Sequence, residues 1–279
     1  MENQTKTWFI TGGSQGIGLV LVKKLLAEGN NVVATGRNLD TLKKAVNDQS
    51  GKFLPLQVNL PDEESVNKAV TEAIAHFGVI DVLVNNAGYG LIGGIEETSA
   101  KEVQSIYDIN VFGLLNVTRA VLPHMRETNA GQIFNLSSVF GLIAGGGWGH
   151  YCGTKFAVEG LSEALAQEVK PFGINVTIIE PGYIKTNFLQ SGSIAVSQKP
   201  IPAYAAIQEE KRKHLDEIPG NQPGDPEKVA QVIIDTAKLS EPPLRLLLGS
   251  DALQFANYKI QMLQEGIEAN KAITLSTDF

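Results

Sequence analysis

The sequence predicts an α/β protein: a doubly wound parallel sheet of about seven strands with helices on both faces. Short, β-branched apolar runs alternate with longer amphipathic windows through the first two thirds of the chain, the pattern that builds strand–helix–strand units. The runs are nearly continuous in apolar character, as strands covered on both faces are. The first run leads straight into a glycine cluster that opens a helical window. At 279 residues, with domains of roughly 100–200 residues, and with no linker or repeat, 1–279 reads as one domain.

The first strand is Thr7–Thr11, centred on Trp8-Phe9-Ile10, and a helix follows over Gly16–Gly29. Val32 and Val33 mark a strand over Asn31–Thr35, followed by a helix at Asp40–Asp48 and a strand at Phe53–Val58. The next helix, Glu63–Phe77, has Ser65 near its polar start and Gly78 where it should stop. Ile80–Asn85 carries Val82-Leu83-Val84 as a fourth strand, and a long helix is expected over Val103–Thr128, with Ser99 near its start. Gln132–Leu136, a helix at Tyr151–Phe172 ended by Gly173, and Asn175–Glu180 complete the regular alternation. After Pro181 the pattern changes. Residues 183–225 are rich in Gly, Pro, Ser and charge, with a helical stretch at Ala203–Leu215. A connection this long reads as a substrate loop or lid, or equally as a packing extension with no gating role. Pro226–Leu239 is a helix and Leu244–Leu248 a seventh strand; residues 250–279 form a C-terminal extension with a helix over Ala252–Ala269.

Composition narrows the function classes. Hydrophobic residues make up 43% and charged residues 19%, which excludes disordered, collagen-like and coiled-coil chains. The net charge of −7 repels phosphate backbones, so no nucleic-acid partner is expected. No stretch reaches the ~18 apolar residues of a membrane span, so no membrane partner is expected. Met1 to Lys6 is polar and has no basic, apolar signal pattern; the expected location is cytoplasmic. One cysteine, Cys152, rules out an internal disulfide and reads as a small buried residue. His76, His124, His150 and His214 show no ligand spacing, and no metal site is expected.

The glycine cluster Thr11-Gly12-Gly13-Ser14-Gln15-Gly16-Ile17-Gly18 lies between a strand and a helix. Glycines there permit a tight turn and close backbone approach to a diphosphate, and the helix start offers free N–H groups. The spacing is Gly-x-x-x-Gly-x-Gly, so by itself it also fits an ordinary turn; the strand-before, helix-after context favours a dinucleotide. The second strand ends Thr35-Gly36-Arg37-Asn38, without a carboxylate for ribose hydroxyls. Arg37 instead offers a guanidinium fork for a 2′-phosphate, which favours NADP(H) and leaves NAD(H) possible.

Tyr151 and Lys155 are four apart in a helical window and share a face. Opposite charges ~4 Å apart at an effective dielectric of ~20 interact by about 4 kcal/mol, enough to bring a phenol from near pH 10 toward neutrality. Such a phenol trades protons at working pH. Ser138, at the end of a strand in Asn135-Leu136-Ser137-Ser138, joins the pair at the strand edge where doubly wound folds place ligands.

These residues resemble the short-chain dehydrogenase/reductase family, from about Thr5 to Leu248. The motifs stand in the family's order: Thr11–Gly18, Asn85-Asn86-Ala87-Gly88, Asn110, Ser138, Tyr151-x-x-x-Lys155 and Pro181-Gly182. The resemblance implies a Rossmann fold and an NAD(P)-dependent oxidoreductase. It implies that Tyr151 is the acid/base, that Ser138 holds the carbonyl oxygen, and that Lys155 lowers the tyrosine pKa and grips the nicotinamide ribose. Asn110 matches a residue that anchors a water in a proton relay, although it also fits a structural helix kink. For the cofactor it implies Gly12, Ser14, Gln15, Gly16, Ile17 and Gly18 at the glycine turn and Arg37 at the second strand. Asn59 and Leu60 fall beside adenine, where Asn59 replaces the usual aspartate, and Asn86, Ala87 and Gly88 line the cleft. Pro181, Gly182 and Ile184 fall in the same cofactor-binding segment, in which Thr186 matches the threonine that binds the carboxamide or diphosphate. Asn85 fits a residue that stitches strand to loop, and Asn86 can be read the same way. The family often assembles as a homodimer or homotetramer through the helices Val103–Thr128 and Tyr151–Phe172.

Phe140, Leu142, Ile143, Trp148, Tyr183 and Phe188 fall in loops at the same sheet edge, with Gly145-Gly146-Gly147 as a mobile wall. They predict an apolar pocket for a hydrophobic ketone or secondary alcohol, and the part after Pro181 resembles the hydroxysteroid- or retinol-dehydrogenase-like branch. The expected function is an NADP(H)-preferring carbonyl reductase. The alternatives are a sugar-nucleotide epimerase or dehydratase with the same Tyr–Lys pair, and a non-catalytic NAD(P)-binding regulator.

Overall fold

The computed structural model describes residues 5–190 and 192–279. Residues 1–4 of the polar lead-in, and Ser191 in the 183–225 segment, lie outside the described residues. The elements run β1 (Thr7–Thr11), α1 (Gly16–Ala27), β2 (Asn31–Gly36), α2 (Leu39–Val46), β3 (Phe53–Gln57), α3 (Glu63–Phe77), β4 (Val82–Asn85), β5 (Gly90–Ile92) and α4 (Ala100–Tyr107). They continue α5 (Leu114–Thr128), β6 (Gly131–Leu136), α6 (Gly149–Val169), β7 (Ile174–Pro181), β8 (Ile194–Val196), α7 (Ala205–Arg212), α8 (Pro226–Thr236), β9 (Arg245–Leu248) and α9 (Ser250–Leu275).

Seven strands form one parallel sheet in the order β3-β2-β1-β4-β6-β7-β9. Chain order reverses between β1 and β4, which opens a crevice at their carboxyl ends. Side chains alternate across β1: Trp8 and Ile10 pack with Leu21, Phe134 and Ile233 on one face, and Phe9 packs with Leu83, Val121 and Ile133 on the other. Both faces of the sheet are therefore dry, as the apolar runs require.

Three local features depart from the expected elements. The single helix expected over Val103–Thr128 is broken: α4 passes through a π turn, Asp108–Gly113, before α5. The turn is held from outside, because the Asn110 side chain bonds the Tyr89 backbone, and a Cβ on Gly113 would lie 2.8 Å from Leu60 Cβ. β5 and β8 pair in parallel as a small second sheet that no three-residue pattern announced. Residues 183–225 contain β8, α7 and a π turn at Lys213–Glu217. Buried Glu97 ties this segment down, accepting from Ile201 N at 2.7 Å and Gln208 Nε2 at 2.8 Å. Among the described residues no helix is long and apolar enough to cross a membrane.

Candidate active site

The switch point carries a cleft of about 490 Å³. At one end, β1 turns through Gly12 to Gln15 into α1. Gly16 has φ +57°, and the first turn of α1 has neither a side-chain cap nor an acidic residue, so its N–H groups remain free for an anion. Gly18 does not line the cleft, but only glycine fits there: a Cβ would lie 2.4 Å from both Asn86 Nδ2 and Gly12 O. Asn86 Nδ2 donates to Thr11 O at 2.8 Å and Gly12 O at 3.0 Å, clamping the glycine turn to the end of β4. The Thr11 hydroxyl accepts from Asn86 N and Ala87 N, both at 3.0 Å. Asn85 stitches β4 to its neighbours through Thr118 and Asn135. Both asparagines are therefore fasteners, Asn86 also lines the cleft as expected, and Thr11 is a hub to which the sequence assigned no role of its own.

Gly12, Ser14, Gln15, Gly16 and Ile17 all line the cleft, as do Ala87 and Gly88. Arg37, Asn59 and Leu60 form its far wall. Arg37 is exposed, and no carboxylate pairs with it among the described residues. Pro181, Gly182, Ile184 and Thr186 form the opposite wall, where the Thr186 hydroxyl caps a short turn at Phe188 N (3.2 Å). Gln15 Nε2 bridges the mouth to Ser193 Oγ at 2.6 Å. An open helix start, a clamped glycine turn and a lone guanidinium in one elongated cleft fit a dinucleotide.

At the chemical end, Ser138 sits past the tip of β6 and Tyr151 in the first turn of α6. The helix starts at Gly149, two residues earlier than expected. Ser138 Oγ accepts from Phe140 N at 3.1 Å, leaving its own proton to donate. Lys155 Nζ lies 5.7 Å from the Tyr151 ring centroid and donates to Leu136 O at 2.7 Å. Lys155 and Tyr151 are both buried. Asn110 is not on the cleft wall. Its Oδ1 accepts from Tyr89 N (3.0 Å), and its Nδ2 donates to Tyr89 O (2.9 Å) and Thr154 Oγ1 (3.1 Å). It thus holds the loop beside Gly88 against α6.

The electrostatics correct one expectation. Lysine does not bring the phenol toward neutrality in this arrangement. Burial raises the Tyr151 pKa, and the Ser138 hydroxyl opposes it only in part. The ammonium is aimed at a carbonyl rather than the phenol oxygen, so desolvation prevails over a remote charge. Burial also pulls Lys155 down to about 8, while Glu159, one turn along α6, resists. Behind it, Arg245 Nη1 bridges Glu159 Oε2 and Glu180 Oε1, each at 2.5 Å. Burial and the neighbouring Glu159 raise Glu180 to about 7, against Arg245.

The substrate end is aromatic. Trp148 lies 5.6 Å from Tyr151 and 5.8 Å from Phe140, and Phe188 lies 5.8 Å from Tyr151. Tyr183 lines the same end, while Leu142, Ile143 and the Gly145–Gly147 run do not. Buried His214 donates from Nδ1 to Glu210 O at 2.8 Å, so its Nε2 accepts from the Tyr183 hydroxyl at 2.8 Å. Burial lowers its pKa and keeps it neutral. Nothing in the sequence pattern singled out His214, because its partner lies 31 residues away. The described residues contain no cluster of His, Cys, Asp and Glu suited to a metal.

Residues 6–195 match the family model described as short chain dehydrogenase. The chain is 36% identical over 277 residues to the oxidoreductase BOA17 of Botryotinia fuckeliana, covering 98% of this chain and 99% of that one. It is 35% identical to a 3-ketodihydrosphingosine reductase of Bacteroides thetaiotaomicron, covering 88% of each. A short-chain dehydrogenase from Streptomyces avermitilis superposes over the full length of both chains with a TM-score of 0.91 at 35% identity. A 3-ketoacyl-(acyl-carrier-protein) reductase from Brucella melitensis, solved with NADH, matches at TM-score 0.75 and 26% identity over 88% of this chain and 97% of that one.

Proposed function

The chain belongs to the short-chain dehydrogenase family and is an NAD(P)-dependent oxidoreductase; from that premise we propose that it is an NADP(H)-preferring reductase of hydrophobic ketones. The observation that carries this reading is the meeting of Ser138, Tyr151 and Lys155 with an aromatic wall in the cleft that begins at the glycine turn. The nicotinamide supplies or accepts the hydride when bound. Gly12, Ser14, Gln15, Gly16 and Ile17 would hold the diphosphate, with Asn59 and Leu60 beside the adenine. Pro181, Gly182, Ile184 and Thr186 would hold the nicotinamide end. The exposed fork of Arg37 supports a 2′-phosphate and hence the preference for NADP(H), with NAD(H) as the weaker alternative.

The Ser138 hydroxyl donates to the substrate oxygen, since its lone pair already serves Phe140 N. Tyr151, kept neutral by burial, is in the form that gives a proton to an oxygen gaining negative charge. Lys155 spends one N–H on Leu136 O and keeps two donors for ribose hydroxyls. Asn110 is a positioning residue for the loop at Gly88. Phe140, Trp148 and Phe188 present an apolar wall, which supports a substrate of steroid, retinoid, aryl or acyl-chain type. A relative named for reducing 3-ketodihydrosphingosine points the same way. Residues 183–225 act as the lid, with the Gln15–Ser193 bond at its edge. Exposed Phe112 and Phe156, on the α4–α5 junction and on α6, support pairing of two copies there. The single buried thiol suits the reducing cytoplasm.

The test follows absorbance at the nicotinamide band with NADPH and NADH against a panel of ketones graded in apolar size. Turnover should be faster at limiting NADPH than at equal NADH, and should rise with apolar bulk. Equal or better use of NADH removes the role given to Arg37; no turnover of any ketone removes the reductase reading.

A further inference from the structure

Helix α9 is the part of the molecule that the fold leaves uncovered. Only Ala252 and Ala256, in its first two turns, are buried. Every residue from Ile260 to Phe279 is exposed. Ile260, Met262, Leu263, Ile267, Ile273 and Leu275 each leave 45–70% of their surface in water. A lone helix of about this length is marginal in water, and helices in proteins persist mainly through packing. Apolar surface exposed on this scale marks an interaction site.

The pattern of the helix indicates what covers it. Ile260, Leu263 and Ile267 continue the line of Leu253 and the body-packed Ala256 with the alternating three- and four-residue spacing of a helix-pairing seam. Phe255, Met262 and Ile273 lie on the far side, so apolar residues form two opposed stripes. A membrane surface covers one face and calls for an excess of Lys and Arg on the other. Here the charges between Asn257 and Leu275 are Lys259, Lys271, Glu265 and Glu268, which cancel within a chain of net −7. A neutral, two-striped helix fits a bundle, and it meets its own copy without repulsion across a two-fold axis.

We propose that α9 is an interface between copies of this chain, pairing antiparallel with α9 of a second copy. A parallel pair would bring both bodies to the same end, whereas an antiparallel pair sets them apart. Twenty helical residues span about 30 Å at a diameter of 10–12 Å. Covering half the girth of each helix buries on the order of 1,000 Å² in total, about what a specific interface must clear. The far stripe, packed on the second copy's body, adds to that. This interface shares no residue with the Phe112 and Phe156 surface and stands apart from the catalytic reading.

The experiment compares the full chain with Ile260→Glu/Leu263→Glu/Ile267→Glu by light scattering during size exclusion at micromolar concentration. A second variant, Ile260→Ala/Leu263→Ala/Ile267→Ala, keeps helix propensity while removing the seam. Dinucleotide binding reports that the body is folded. The proposal expects an assembly whose mass falls at least to one half in both variants, with dinucleotide binding retained. It is overturned if the mass is unchanged in the folded variants or if the wild-type chain is monomeric throughout. It is also overturned if wild type, but not the variants, sediments with phosphatidylcholine/phosphatidylglycerol vesicles, which would assign the stripes to lipid.

Discussion

Tyr151→Phe isolates the proton from everything else the residue does. The ring is 7% exposed and packs on Trp148, Phe188 and Phe140 at centroid distances of 5.6, 5.8 and 6.4 Å. Phenylalanine keeps all three contacts and removes only one buried hydroxyl, so folding stability should change by less than about 1 kcal/mol. The lost chemistry is larger. A positioned general acid contributes roughly 10²- to 10⁴-fold, or about 3–5 kcal/mol of barrier. The assay measures kcat with NADPH and the best ketone, NADPH affinity by fluorescence titration, and the melting temperature. The expected result is a kcat loss of at least roughly a hundredfold, with affinity and melting temperature close to wild type. Turnover within a few-fold of wild type, in a protein that still binds NADPH, would refute Tyr151 as the acid.

Four further perturbations probe the frame around it. Gly18→Ala drives a Cβ to 2.4 Å from Asn86 Nδ2 and Gly12 O; it should release the Asn86 clamp, cost about 2–4 kcal/mol and weaken dinucleotide binding. Gly160→Ala, with nothing within 4 Å, should instead stabilise α6 by about 0.5–1 kcal/mol, and chemical denaturation of both variants checks the contrast. Arg37→Ala should raise the NADPH dissociation constant roughly tenfold or more, as expected for a lost charge-assisted bond, and leave NADH unchanged in parallel titrations. For Glu180, a folded pKa raised to about 7 means that the native state holds a proton that the unfolded state has released. Its stabilisation is present below the unfolded carboxyl pKa and is lost as pH rises through 7. The melting-temperature difference between Glu180→Gln and wild type should therefore move in favour of the variant from pH 5 to pH 8; a difference independent of pH would refute the raised pKa.

Local chemistry made much of this protein legible. The apolar runs at Trp8-Phe9-Ile10 and Val82-Leu83-Val84 indicate strands because their faces must both be dry. The α6 window places Tyr151 and Lys155 on one face because the helical period does so wherever the helix lies. What stayed hidden depends on partners distant in sequence. The π turn at Asp108–Gly113 exists because Asn110 reaches the Tyr89 backbone 21 residues away. β5 and β8 are each three residues long and have meaning only as a pair. The His214–Tyr183 bond joins the π turn at Lys213–Glu217 to the loop after β7, which share no motif.

Residue type and period alone thus determined the parallel sheet, the glycine turn and the Tyr–Lys face, because those follow from backbone geometry within a few residues. The tertiary structure decided the charge states at the site. Whether Tyr151 is pulled down by an ammonium or held neutral depends on where Lys155 Nζ points and how much water remains. Desolvation and direction are properties of the assembled neighbourhood, and no spacing along the chain encodes them.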